Sequence, residues 1–189
     1  MNIFEKLSIS REIIINEGEI ALDKQRIVFL PVPFIGLLLI KLKQNISQKQ
    51  KIYKTMKSGA AEWAVPLGKQ YGLAYKDFLD RWIKYTAFGG WGLTEYQLIE
   101  EDKGRGFLRI KDLSLHKYLK KKGINEPSDF IFESITAGSL SGSFNLDIDV
   151  LEVKCICAGD DFCVFYWGPR SYLIQKFPKL ALDRFGDTK

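Results

Sequence analysis

The sequence reads as a mixed α/β chain of the α+β type, and three patterns carry that reading. Residues 152–167 alternate and turn like a β-hairpin, residues 93–111 repeat the arrangement, and residues 34–46 place apolar side chains at helical spacing. In the first hairpin Glu152, Val153, Lys154 and Cys155 run out as a strand. Gly159 and Asp160 supply the turn, and residues 162–167 return. In the second, residues 93–100 go out, Lys103 and Gly104 turn, and residues 107–111 come back.

The other elements follow in order. Residues 12–15, 19–22 and 25–30 are short extended pieces, separated by Glu17-Gly18 and Asp23-Lys24 and ended by Pro31 and Pro33. From Phe34 onward Ile35, Leu38, Leu39, Leu42 and Ile46 share one helical face, a stripe suited to a core or to a dimer seam. Residues 59–86 read as one or two further helices, broken at Phe88-Gly89-Gly90-Trp91-Gly92. A short basic helix spans 113–122. A longer one spans 130–144, with Ser128 or Asp129 as its N-cap. Gly138 and Gly142 each cost that helix about 1 kcal/mol relative to alanine, so they predict close packing, here assigned to a sheet. Residues 172–185 form a terminal helix interrupted at Pro178. No linker divides the chain. The expectation is one domain, 1–189: an extended segment 1–33, a helical half 34–86, a sheet-containing region 88–167 and a C-terminal helix 171–189.

Composition narrows the function. At 189 residues, 46% hydrophobic and 27% charged, the chain can bury a sizeable core. Its net charge of +5, from 28 basic and 23 acidic residues, is spread out. The densest cluster, Lys117, Lys120, Lys121 and Lys122, has no interleaved aromatics and reads as a solvated helix end rather than a nucleic-acid site. Residues 1–26 lack an export core. Residues 27–42 fall short of the about 20 apolar residues a bilayer crossing needs, and they carry Pro31 and Pro33. No membrane span and a cytoplasmic location are expected.

The chemistry concentrates in one run. Glu152, Cys155, Cys157 and Cys163 lie within twelve residues. Pairing across the hairpin brings Cys155 and Cys163 together, and two thiolates with a carboxylate make a zinc site. Strand alternation puts Cys155 and Cys157 on one face, both toward a metal or both into the core. His116 is the single histidine and sits in the lysine-rich helix, which argues against a nucleophile activated by a histidine base. Gly89-Gly90-Trp91-Gly92 lacks the lysine and hydroxyl of a phosphate cradle, and no dinucleotide fingerprint is present. Glu100, Glu101 and Asp102 read as a hairpin tip.

Three motifs carry a resemblance: Gly90-Trp91-Gly92 at a strand start, Gly138-Ser-Leu-Ser-Gly142 on a helix, and Glu152-x2-Cys155-x3-Gly159-Asp160-x2-Cys163-x-Phe165. With them, residues 91–165 resemble the 4-vinyl-reductase domain. That family includes archaeal hydrocarbon-binding proteins and the sensor domains of bacterial aromatic-responsive transcription activators. The resemblance implies an antiparallel sheet packed against helices, a ligand-binding fold shared with the small subunits of the TRAPP tethering complex. It also implies an apolar cavity between helices and sheet, and dimers built through long helices. Its zinc ligands map onto Glu152, Cys155 and Cys163. The aromatic sensors take their fourth ligand, a cysteine, from the preceding helix, and that position here is Glu133. Glu133 is therefore the first candidate, with water or Cys157 as the alternatives and a metal-free site as the competing reading. Phe88, Trp91, Tyr96, Phe107 and Ile110 are the candidates for the cavity wall.

The function so implied is non-enzymatic binding of a small hydrophobic or aromatic ligand, with a structural zinc. It would be a sensor or carrier working with a partner output protein. The alternative is a scaffold resembling the TRAPP subunits. A third reading, a component of tetrapyrrole vinyl reduction, lacks a cofactor-binding sequence to support it.

Overall fold

A computed structural model describes residues 13–17, 19–22, 25–42, 45–71, 75–127 and 129–186. The turn and cap positions Gly18, Asp23, Lys24 and Ser128, with the extended residue Glu12, lie outside this set. Strands β1 (Ile13–Asn16), β2 (Glu19–Leu22) and β3 (Gln25–Arg26) form a small antiparallel sheet. The third extended piece was expected to reach residue 30. It leaves the sheet after Arg26, and residues 27–30 instead line a cavity.

Helices α1 (Val32–Leu42), α2 (Ile46–Tyr71) and α3 (Tyr75–Phe88) follow. The predicted stripe is thus divided, because Ile46 opens α2. Leu39 and Leu42 face inward, while Leu38 is about half exposed. Then come β4 (Leu93–Glu100), a 3-10 turn (Glu101–Lys103), β5 (Arg105–Lys111), α4 (Ser114–Lys121) and α5 (Phe130–Phe144). Strands β6 (Asp149–Lys154) and β7 (Cys163–Gly168) flank a second 3-10 turn (Ile156–Ala158), and α6 (Arg170–Lys176) and α7 (Pro178–Phe185) close the described chain.

The main sheet is antiparallel, in the order β4-β5-β7-β6. On β5, Gly106, Leu108 and Ile110 are buried while Arg105, Phe107 and Arg109 are partly exposed, so one face is core and the other is wet. Helix α5 is enclosed between that core face and α2. It is buried from Phe130 to Leu140 apart from Ile135, with the polar Glu133, Ser134, Thr136 and Ser139 among the buried residues. Asp129 caps it, accepting the Phe132 N–H at 2.9 Å. Helices α6 and α7 pack on β6 and cover the edge of the sheet.

The small residues of α5 meet a helix, not the sheet predicted for them. A Cβ on Gly138 would strike the Lys57 carbonyl and come within 2.7 Å of Ala60 Cβ, and one on Gly142 would strike the Ala61 carbonyl, all on α2. A second tie joins these helices to the sheet. Asp149 is buried and takes Tyr53 Oη at 3.0 Å, Lys57 Nζ at 2.8 Å and Arg170 Nε at 2.7 Å. Burial pushes its carboxyl up, but Arg170 and Lys57 win and hold it below the usual carboxylate range.

Two glycines of neighbouring helices should respond with opposite sign. Gly138→Ala presses a methyl against backbone that cannot yield and should destabilise by about 1–3 kcal/mol. Gly59→Ala, on an exposed face of α2 with open space around it, should stabilise by about 0.5–1 kcal/mol. Urea unfolding of the two variants measures both.

Candidate metal centre and adjoining cavity

The hairpin sets three side chains by a local irregularity. Glu152 pairs with Phe165, but the next pair is Lys154 with Val164, which leaves Val153 as the extra residue of a β-bulge. In an unbroken strand, residues three apart point to opposite faces. The bulge restores Glu152 and Cys155 to the same buried side. Past Cys155 the chain turns through residues 156–158, and Gly159 ends the turn at a φ of 102°, a backbone region that favours glycine. Asp160 fastens the turn, its carboxylate accepting the Cys155 N–H at 2.8 Å. On the returning strand Cys163 pairs with Ile110 and points into the same space.

The fourth side chain is His116. The ligand atoms of His116, Glu152, Cys155 and Cys163 all lie within 4.8 Å of one another, and all four residues are buried. His116 Nδ1 stands 2.8 Å from Cys163 Sγ, 3.9 Å from Cys155 Sγ and 3.6 Å from Glu152 Oε1. Its other ring nitrogen faces the Asp129 carboxylate at 3.5 Å, the arrangement by which an outer carboxylate orients a ligating imidazole. Backbone N–H groups of Ile156 and Cys157 donate to the sulfurs of Cys163 and Cys155 at 3.4 and 3.3 Å. The Asp129 N–H donates to Glu152 Oε2 at 3.2 Å.

Two sequence expectations change here. Glu133, the first candidate for the fourth position, is buried but committed elsewhere. Its Oε1 accepts the Glu152 N–H at 2.8 Å and its Oε2 pairs with Arg184 Nε at 2.8 Å, so His116 takes the place beside the thiols. Cys157 sits in the 3-10 turn rather than in a strand and does not share the face of Cys155. Its thiol donates to the His116 carbonyl at 3.3 Å. His116 escaped the sequence reading because the lysines around it suggested a solvated surface. The signal was present: Leu113, His116 and Leu119 recur every third residue and are buried, while Lys117, Lys120 and Lys121 point outward.

The electrostatics favour a cation. Burial pushes Glu152 well above the carboxylate range and raises Asp129 too, with His116 opposing both. Burial also disfavours a charged His116, yet Glu152, Cys155 and Asp129 outweigh it and lift the imidazole to about 9. The thiols divide: the neighbouring Cys157 and Cys163 sulfurs hold Cys155 low, and that proximity together with burial leaves those two raised. The surrounding groups therefore draw a proton onto His116, and a metal ion can replace it. Two thiols, an imidazole and a carboxylate form a donor set that suits a borderline-soft divalent metal.

Beside this centre is a cavity of about 450 Å³. Trp63, Trp82, Tyr85, Trp91, Phe29 and Phe132 are among its walls, and no charged side chain lines it among the described residues. Of the five wall candidates, Phe88 and Trp91 lie on it. The other three do not. Tyr96 donates to Asp80 at 2.9 Å, Phe107 packs against Tyr166 on the outer sheet face with ring centroids 5.4 Å apart, and Ile110 is enclosed in the core. Residues 27–30, which have no regular structure to signal them, supply part of the wall instead. The cavity and the metal centre share elements. Leu115 lines the cavity and His116 follows it, while Phe132 lines it between Asp129 and Glu133 and packs on Phe165, ring centroids 4.8 Å apart.

No protein-family model matches the chain, and no curated protein matches it in sequence. Solved structures do. The phenol-responsive sensory domain of the transcription activator PoxR, with phenol, superposes with a TM-score of 0.71 at 19% identity, over 96% of this chain and 97% of that one. A vinyl-4-reductase family protein from Methanocaldococcus jannaschii aligns with a TM-score of 0.45 at 18% identity, over 75% of this chain and 82% of its own. A trafficking protein particle complex subunit 3 from Naegleria fowleri, covalently bound to palmitic acid, aligns with a TM-score of 0.46 at 12% identity, over 72% and 93%. No described helix is long and apolar enough to cross a membrane. The chain has the fold of the PoxR sensory domain: an antiparallel four-stranded sheet packed against helices.

Proposed function

We propose that this protein is a small-molecule sensor domain. It binds a neutral apolar or aromatic ligand in the cavity beside α5 and is braced by a structural zinc held by His116, Glu152, Cys155 and Cys163. The observation that carries this reading is the cavity itself, aromatic on several sides, free of charged side chains among the described residues, and large enough for a drug-sized molecule. The fold it shares with a phenol-responsive sensory domain supports the same role. His116, Glu152, Cys155 and Cys163 would hold the ion with four protein donors, and a bound zinc would supply charge neutralisation and a cross-link between α4 and the hairpin. The reading includes a partner output protein that receives the signal, and ligand binding rather than catalysis.

The chain also pairs with a second copy in this reading. Val28, Leu30, Phe34 and Leu37 are each at least half exposed. A contiguous apolar patch of this kind marks an interface, and two-fold pairing lets it meet itself. The buried side of α1 is not part of this surface: Gly36 packs under the Tyr118 ring of α4, beside buried Leu39 and Leu42.

Three outcomes are expected. Protein purified without added metal should hold about one equivalent of zinc by elemental analysis. Cys163→Ala and His116→Ala should lose it, and Cys157→Ala should keep it. Chelation should lower the melting temperature of the wild type and leave Cys163→Ala nearly unchanged. Metal-free native protein would contradict the assignment.

Among phenol, 1-naphthol and toluene, at least one should raise the melting temperature by about 5–10 °C at a hundredfold excess over its Kd. It should also change the fluorescence of the wall tryptophans. Ile135→Trp, which fills the cavity, should abolish both effects. No response to any of the three would count against the sensor reading.

Light scattering should give a dimer at micromolar concentration, and Phe34→Glu with Leu37→Glu a soluble monomer. Leu39→Glu should unfold the protein instead. A monomeric wild type would end the dimer assignment.

A further inference from the structure

Glu133 and Arg184 connect the metal centre to the last described helix. Glu133 is completely buried on α5, and each of its oxygens has a distinct task. Oε1 accepts the backbone N–H of Glu152 at 2.8 Å, immediately before the bulge that turns Cys155 inward. Oε2 lies 2.8 Å from Nε of Arg184, a side chain only 11% exposed that comes from α7. The Arg184 guanidinium also sits 5.9 Å from the Phe130 ring centroid, within cation–π range. Helix α5 thus grips Glu152 twice, at its carboxylate through the Asp129 N–H and at its backbone through Glu133. The second grip depends on a cation from another helix.

A carboxylate buried to this degree is costly unless a positive charge and hydrogen bonds meet it. Arg184 is the cation that meets it, its Nε 2.8 Å from Oε2. Without Arg184 the carboxylate loses the cation 2.8 Å from it, and the geometry it imposes on the Glu152 backbone relaxes. The rest of α7 has modest holds of its own: Ala181 and Phe185 are its buried residues, and Leu182 is exposed.

We propose that Glu133 and Arg184 are a positioning pair for the metal ligand Glu152, so that metal occupancy and the docking of α7 stabilise each other. This rests on the metal-centre reading above. Coupling of this kind is reciprocal: whatever α7 docking adds to metal affinity, the metal returns to α7 docking. A group that orients a ligand from outside the coordination sphere typically governs metal affinity by about 10–100-fold.

The test uses the full chain, loaded with zinc or stripped by a chelator. Zinc affinity comes from competition with a chromophoric chelator, and hydrogen exchange is followed in α7 and, as reference, in β4. In the wild type, stripping zinc should speed exchange in α7 by about tenfold while β4 changes little. Arg184→Met should weaken zinc binding by about tenfold or more and leave α7 fast-exchanging with or without zinc. Its cobalt form should keep the wild-type absorption bands, because the four ligands are unchanged. Arg184→Lys, which retains a cation, should recover most of the affinity and reads the pairing in a folded background if the methionine variant does not fold. A merely structural arginine would lower the melting temperature and leave zinc affinity alone. Wild-type affinity in both variants, or α7 exchange indifferent to zinc, overturns the coupling but not the metal centre. Absence of zinc binding in the wild type overturns both.

Discussion

The structure depends on placing acidic groups where water cannot reach them. Glu152, Asp129, Glu133 and the thiols of Cys155 and Cys163 are all buried within one region of α5 and the β6–β7 hairpin. Each buried ion costs several kcal/mol unless its surroundings offset it. The offsets are visible. His116 comes in from α4, Arg184 from α7, and backbone N–H groups of Asp129, Phe132, Ile156 and Cys157 come from the turns and caps. The elements are held in register because these groups need one another. A divalent ion at the centre would complete the compensation and turn a liability into a cross-link.

This arrangement also explains how a ligand in the cavity could be felt outside it. The cavity wall and the metal centre are built from alternate faces of the same short segments: Leu115 beside His116, and Phe132 between Asp129 and Glu133. A ligand that displaces Phe132 presses on Phe165, the partner of Glu152 across the hairpin. Close-packed interiors transmit such displacements poorly by bending and well by switching between discrete packings. A hairpin cross-linked by a metal ion next to an apolar cavity would therefore give a ligand something stiff to act upon.

Much of the fold was legible because its signals are local. Gly159 and Asp160 marked the hairpin turn, Lys103 and Gly104 marked the other, and Pro178 split the terminal helices where the structure splits them. What escaped depended on tertiary context. Alternation predicted that Cys157 would accompany Cys155, but the strand ends before Cys155 and a 3-10 turn carries Cys157 out of the alternation. Glu133 stood in the position that suggested a ligand, yet Arg184, fifty-one positions later in the chain, took its carboxylate. His116 looked solvated among lysines because charge is conspicuous and a three-residue burial period in an eight-residue helix is not. The cavity wall from Ile27 to Leu30 has no regular period at all and could be found only by where it folds back.

Bound to this chain, a zinc ion should have His116, Glu152, Cys155 and Cys163 as one coordination sphere, and X-ray absorption at the zinc edge of the purified protein can test that assignment. Two sulfur scatterers are expected at about 2.3 Å and two nitrogen or oxygen scatterers at about 2.0–2.2 Å, with the outer-shell pattern of one imidazole. Three sulfurs would bring Cys157 into the sphere, and a first shell without imidazole would remove His116; either result would contradict it.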